Sequence, residues 1–161
     1  MKILGVDPGT GRLGWAIIEK FQSHNLRLIA CGLIETPAKT KLDIRLEVIF
    51  DQLSKVIDKF KPDQLAIEEL FFVKNVKTGI SVSHARGVAM LCCRKSKMEI
   101  FEYKPNEIKL GIAGHGHADK KQMAKMLKLH LKGCSIEQDD TADAIAVALY
   151  HLQIKRYKNL S

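Results

Sequence analysis

Short apolar segments separated by turn residues fill the first 35 residues of the chain. The apolar segments run from Lys2 to Val6, from Leu13 to Phe21 and from Leu26 to Glu35. Segments of this length between Gly-, Pro- and Asn-containing turns are typical of strands. Because the connections are short, we predict that the three strands pair antiparallel in chain order.

The spacing of the apolar residues changes after residue 40. From Lys41 to Phe60 they recur three or four positions apart, which predicts an amphipathic helix, and Pro62 stops it. The order of the elements predicts an α/β fold with a mixed five-stranded sheet flanked by helices, because the later strands need crossover connections. The later predicted elements are a strand over Gln64–Glu68, a helix over Val76–Lys95, a strand over Met98–Tyr103, a short helix from Lys104 to about Gly111, a helix from Asp119 to about Leu131 and a helix from Asp140 to about Tyr157.

Length and composition narrow the class of protein. The 161 residues, without repeat or linker, predict a single domain over residues 1–161. No stretch approaches the roughly 18 apolar residues of a membrane span. The four cysteines form no C-x-x-C pair, so we expect reduced thiols and a cytoplasmic location. The net charge of +8 indicates either simple solubility or a polyanionic partner.

Four acidic residues stand where elements begin or end. Asp7 follows the first strand, Glu68 ends the fourth, and Asp140 and Asp143 lie three apart at the start of the last helix. Each alone is typical of a turn or a cap, and Asp140 suits an N-cap. Carboxylates brought to one point repel each other unless cations lie between them, and Mg²⁺ or Mn²⁺ suits such oxygen ligands. Two such ions about 4 Å apart promote phosphodiester hydrolysis, so a basic protein with this site is expected to be a nuclease.

Four short motifs follow one another along nearly the whole chain. Their order and spacing, with the chain length, resemble the RuvC family of bacterial Holliday-junction resolvases. The motifs are Asp7-Pro8-Gly9 with Gly14-Trp15-Ala16, Ile67-Glu68 with Phe71, Ala118-Asp119-Lys120, and Asp140-x-x-Asp143-Ala144.

This resemblance implies a ribonuclease-H-like nuclease domain that acts as a homodimer. It implies a metal-dependent endonuclease that makes paired symmetric nicks in a four-way DNA junction during recombination and repair. Mg²⁺ is the expected cofactor, as two ions, with Mn²⁺ as an alternative. The RuvA and RuvB branch-migration proteins are the partners that the resemblance suggests.

The resemblance also implies roles for individual residues. The carboxylates of Asp7, Glu68, Asp140 and Asp143 are implied to be catalytic and to hold the metal. Lys120 is implied to be catalytic and to bind DNA. Further DNA-binding residues are expected at Phe71, Lys109 and Lys121.

Several of these residues keep a second interpretation. Phe71 and Phe72 are also typical of a hydrophobic anchor, and stacking of Phe71 on an unpaired base rests on the resemblance. The segment from Lys104 to Lys132 contains seven lysines and two acids, a net +5, which indicates either a solvated helix face or a phosphate-binding surface.

Other residues near the motifs leave questions open. Glu69 and Asp139 add an acid beside Glu68 and Asp140, respectively. His115 and His117 lie in a glycine loop with no evident third metal ligand, so we interpret them as exposed or facing DNA.

Two other functions are compatible with parts of the sequence. Asp7-Pro8-Gly9-Thr10-Gly11 also resembles the phosphate-binding hairpin of actin-like ATPases, although the chain is short for their two lobes. A junction-binding module without catalytic activity is the other alternative, and the complete set of acids argues against it.

Overall fold

The computed structural model describes residues 1–21, 25–70, 76–131 and 139–158, and for 76–78, 139–140 and 155–158 it describes the backbone alone. The predicted order of strands and helices is confirmed. The elements are β1 (Lys2–Asp7), β2 (Arg12–Lys20), β3 (Leu26–Glu35), α1 (Leu42–Phe60), β4 (Gln64–Glu68), α2 (Val76–Lys95), β5 (Glu99–Tyr103), α3 (Pro105–Ala113), α4 (Lys120–His130) and α5 (Asp139–Lys158).

The five strands form one mixed sheet in the order β3-β2-β1-β4-β5. β1 pairs antiparallel with β2, and β2 with β3, as their short connections require. β4 lies parallel to both β1 and β5, because the chain crosses over through α1 and then through α2. The predicted mixed five-stranded sheet is therefore confirmed.

Apolar side chains pack on both faces of this sheet. Leu4 and Val6 of β1 face α1 and α2, whereas Ile3 belongs to the core formed with α3, α4 and α5. This alternation follows from the two-residue period of a strand. Residues 3, 5 and 7 of β1 and residues 64, 66 and 68 of β4 therefore share the face that α5 covers.

α5 approaches the sheet closely at Gly5. A Cβ atom at this position would lie 2.1 Å from the carbonyl oxygen of Ala144 and 2.8 Å from the Cβ of Ala148. The small side chains of α5 and the missing side chain of Gly5 therefore let the helix backbone rest directly on β1. This contact fixes the first turns of α5 over the strand that ends in Asp7.

Two helices, α4 and α5, begin near the predicted site, and their first residues differ in how they relate to the helix start. Asp119 caps α4: its carboxylate accepts a hydrogen bond from the Gln122 amide at 2.8 Å, and the Gln122 side chain accepts one from the Asp119 amide at 2.9 Å. α5 begins at Asp139, one residue before the expected start. Asp140 therefore lies within the first turn and not at the cap position.

Two further predictions concern membrane spans and the number of domains. None of the helices in the described ranges has the length and the apolar run needed to cross a membrane. The single domain over residues 1–161 stays a prediction.

Replacing Gly5 tests the contact between α5 and β1. We expect Gly5→Ala to lower the free energy of unfolding by roughly 2–3 kcal/mol, because the added methyl group meets backbone atoms that cannot rotate away. Chemical denaturation would measure the change. Gly116→Ala is the matched control, because a Cβ there is at ordinary contact distance, 3.7 Å from its nearest neighbour. An equal loss in both variants would contradict this account of Gly5.

Candidate functional site

The carboxyl ends of β1 and β4 place two acidic side chains side by side. Val6 is in register with Ile67, so Asp7 and Glu68, the last residues of their strands, are the next pair along this edge. Both side chains face α5 because of the strand period. Glu68 is in turn opposite Tyr103, the last residue of β5.

The electrostatics of Glu68 show which charges surround it. Burial raises the pKa of this half-buried carboxyl group, and the negative charges of Asp7 and Asp143 raise it further, to about 7. The positive charge of Lys109 acts in the opposite direction. The structure thus brings Asp7, Asp143 and Lys109 within electrostatic reach of Glu68.

α5 supplies the third of these carboxylates. Asp143 immediately precedes Ala144, whose carbonyl lies over Gly5, so the close contact with β1 also places Asp143 at the ends of the strands. Asp140 lies one turn earlier in the same helix. Its side chain lies outside the described residues, as does that of Asp139.

The donor chemistry of this site fits a divalent cation. Glu68, together with the two carboxylates whose charges disfavour its ionisation, provides hard oxygen ligands and excess negative charge, the preferences of Mg²⁺ and Mn²⁺. Within the described part of the chain, no three His, Cys, Asp or Glu side chains form a group close enough to hold a metal. The three described carboxylates are therefore not a complete metal cage by themselves.

The predicted basic residues lie on two different helices. Lys109 is half-buried on α3, where its charge acts on Glu68. Lys120 and Lys121 are exposed in the first turn of α4, which packs against α3 and α5. Phe71 lies outside the described residues.

Residues of the site that sequence reasoning did not identify come from α2. The Arg86 Nε donates a hydrogen bond to the backbone carbonyl oxygen of Glu68 at 3.1 Å. The Ser81 and Thr10 hydroxyl oxygens are 2.7 Å apart, so α2 also contacts the turn that follows Asp7. Each contact joins residues far apart in the chain and leaves no periodic signal in the sequence.

Glu69, His115 and His117 lie near the motifs in the sequence. The Glu69 amide donates a hydrogen bond to the Tyr103 carbonyl at 2.8 Å, which extends the pairing of β4 with β5. His115 and His117 are exposed. Across the described residues, neither histidine belongs to a possible metal-binding group.

The chain forms a mixed five-stranded sheet with helices on both faces. Carboxylates lie at the ends of two adjacent parallel strands and on the helix that covers them. This arrangement defines a ribonuclease-H-like protein. The family model described as crossover junction endodeoxyribonuclease RuvC matches residues 3–151. The chain therefore belongs to the RuvC family.

Individual relatives agree with this assignment. The crossover junction endodeoxyribonuclease RuvC of Finegoldia magna is 43% identical and covers 100% of this chain and 98% of its own. That of Brachyspira hyodysenteriae is 47% identical over 99% of this chain and 98% of its own. The structure of T. thermophilus RuvC in complex with a Holliday junction substrate superposes with a TM-score of 0.91 at 28% identity, covering 98% of this chain and 96% of that chain.

The pKa of Glu68 predicts a specific pH dependence of stability without metal. The folded-state pKa lies above the ordinary value of 4.5, so the carboxyl group contributes full stability below about pH 4.5 and loses it as the pH rises through about 7. Glu68→Gln stays neutral at both pH values. The free energy of unfolding of this variant minus that of the unsubstituted protein should therefore be greater at pH 8 than at pH 5, by on the order of 1–3 kcal/mol.

Denaturation in EDTA at the two pH values measures this difference. Asp51→Asn, which removes one negative charge from the exposed part of α1, is the control. The same stability difference at both pH values for Glu68→Gln would contradict the assigned environment.

Proposed function

We propose that this protein resolves four-way DNA junctions by hydrolysing one phosphodiester bond in each of two opposing strands. The observation that carries the proposal is the convergence of Asp7, Glu68 and Asp143 at one edge of the sheet, in a member of the RuvC family. The T. thermophilus relative is described as bound to a Holliday junction substrate. Neither the actin-like ATPase nor the inactive binding module is favoured, since the relatives that match nearly the full chain carry the endodeoxyribonuclease name.

The carboxylates are proposed to hold divalent metal. Asp7, Glu68 and Asp143 are proposed to supply three of the ligands, and Asp140 is proposed as the fourth because it lies one turn before Asp143. When bound, two Mg²⁺ ions, or Mn²⁺ in their place, supply activation of water and stabilisation of the leaving oxygen. The excess negative charge around Glu68 supports this assignment.

The lysines are proposed to act on the phosphate groups. Lys109 stands next to the carboxylates and offsets part of their charge. Lys120 is proposed to stabilise the charge that develops on the scissile phosphate, and Lys121 to bind the DNA backbone. Their exposure at the start of α4 leaves both accessible to DNA.

The start of the connection from β4 to α2 is proposed to contact the junction itself. Phe71 stands three residues after Glu68 in the sequence. Stacking of its ring on an unpaired base is worth ~1–3 kcal/mol in other proteins. This role stays a prediction based on the family resemblance.

The protein is proposed to act as a homodimer through α2. Ile80 and Leu91 are 54% and 57% exposed and share one face of this helix with His84 and Gly87, at spacings of four, three and four residues. Apart from the two neighbouring residues and the nearby backbone of α2 itself, no heavy atom of the described residues lies within 4 Å of a Cβ placed on Gly87, so another helix has room to approach. A second copy on this face suits paired nicks, because a two-fold dimer presents two equivalent sites.

Location and further partners are proposed from the family alone. We assign the protein to the cytoplasm, and we expect it to work with the RuvA and RuvB branch-migration proteins.

Cleavage assays test the proposed activity and metal site. Purified protein should nick a synthetic four-way junction symmetrically with Mg²⁺, and should not cut linear duplex of the same sequence at a comparable rate. Asp7→Asn should lower the cleavage rate by at least about 100-fold, because it removes a charged ligand, while junction binding in EDTA persists. Cleavage by Asp7→Asn at the unsubstituted rate would contradict the metal-site assignment.

Sedimentation tests the proposed dimer face. Leu91→Glu should shift the protein from dimer to monomer at micromolar concentration, because it places a charge on the apolar face of α2. Leu129→Glu is the matched control, since Leu129 is 61% exposed on α4. A dimer that survives Leu91→Glu, or a monomer in the unsubstituted protein, would contradict the assignment of this face.

A further inference from the structure

The peptide unit that joins Glu68 to Glu69 is held from two sides. Its carbonyl oxygen accepts the hydrogen bond from the Arg86 Nε at 3.1 Å. Its amide donates to the Tyr103 carbonyl of β5 at 2.8 Å. Both polar groups of this peptide unit are therefore bound at the point where β4 ends.

Arg86 reaches this peptide from the face of the sheet opposite the Glu68 side chain. Ile67 packs in the core with α1 and α2, whereas Ala66 packs in the core with α5, so Glu68 faces α5 and away from α2. The Arg86 side chain is only 17% exposed, and its guanidinium group forms an ion pair with Glu102 of β5. A mostly buried guanidinium with both a carboxylate and a carbonyl partner has a fixed position.

Ser81 makes the corresponding contact at the other carboxylate strand. Its hydroxyl group is hydrogen-bonded to that of Thr10, a buried residue in the turn directly after Asp7. On its other side, the turn is bound to the end of β3, where the Thr36 hydroxyl donates to the Thr10 carbonyl and the Thr36 amide donates to the Gly11 carbonyl. Arg45 of α1 donates in turn to the Thr36 hydroxyl at 2.7 Å.

We propose that Arg86 and Ser81 are positioning residues that fix the backbone at Glu68 and Asp7 from behind the sheet. Arg86 acts through the backbone carbonyl of Glu68, and Ser81 acts through the Thr10 hydroxyl in the turn that follows Asp7. The functional part of the inference rests on the proposed function. It makes α2 an element that supports the ends of both carboxylate-bearing strands, because both contacts come from the same helix.

Hydrogen exchange tests the Arg86 contact without metal or DNA. Arg86→Gln should speed exchange of the Glu69 amide by at least about 10-fold, while amides that pair β1 with β2 keep their rates. Arg94→Gln, which removes an exposed arginine from the last turn of the same helix, should leave the Glu69 amide unchanged. Faster exchange throughout the sheet, or no difference between the two variants, would overturn the positioning role.

Single-turnover cleavage then tests whether the position matters for the reaction. Arg86→Gln should cut a four-way junction at least about 10-fold more slowly at unchanged junction affinity, because small displacements of reacting groups are costly. Arg86→Lys should recover part of the rate, since lysine keeps the charge toward Glu102 but lacks the planar fork. Unchanged cleavage with a loosened Glu69 amide would overturn the inference. If the unsubstituted protein fails to cut junctions, the proposed function fails, and the exchange result alone decides whether Arg86 fixes the peptide.

The Ser81 contact has its own matched pair. Ser81→Ala should speed exchange of the Thr36 amide and slow cleavage about 3-fold, with unchanged junction affinity. Ser83→Ala serves as the control, because the Ser83 hydroxyl donates a hydrogen bond to the Gly79 carbonyl within α2, at 2.8 Å. Equal effects of the two serine variants would overturn the part of the proposal that concerns Ser81.

Discussion

The contact of α5 with β1 at Gly5 is the constraint on which the site depends. A side chain at this position would overlap the Ala144 carbonyl, so the helix backbone rests on the strand without an intervening layer of side chains. Asp143 is the residue before Ala144, and Asp7 lies two residues after Gly5 on the same face of β1. One glycine therefore sets how closely the acidic start of α5 approaches the acidic end of the strand.

Bringing these carboxylates together is electrostatically unfavourable in the absence of cations. The raised pKa of Glu68 records this cost, to which burial contributes most and the charges of Asp7 and Asp143 add. The packing that holds them comes from both faces of the sheet, with α5 above and Arg86 and Ser81 of α2 below. Rigid support of this kind opposes the separation that repulsion between like charges would otherwise produce.

A buried polar network between α5 and the sheet could not be predicted from the local sequence. His151 is fully buried, with Nδ1 2.6 Å from the Tyr103 hydroxyl oxygen and Nε2 3.0 Å from Gln64 Oε1. Gln64 in turn donates to Glu99 at 2.8 Å. In the apolar pattern of the last helix His151 is only a polar interruption, because its partners lie 48 and 87 residues earlier in the chain.

The sequence by itself determined the order of the strands and helices, the antiparallel start of the sheet and the acidic residues at element ends, because these depend on apolar periodicity and turn residues close together in the chain. Only the tertiary structure decided which face of each strand α5 covers, that Lys109 acts on Glu68, and that Arg86 binds the Glu68 carbonyl. These features depend on contacts between distant segments, where a glycine or an arginine acquires its role from a neighbour that local spacing does not specify.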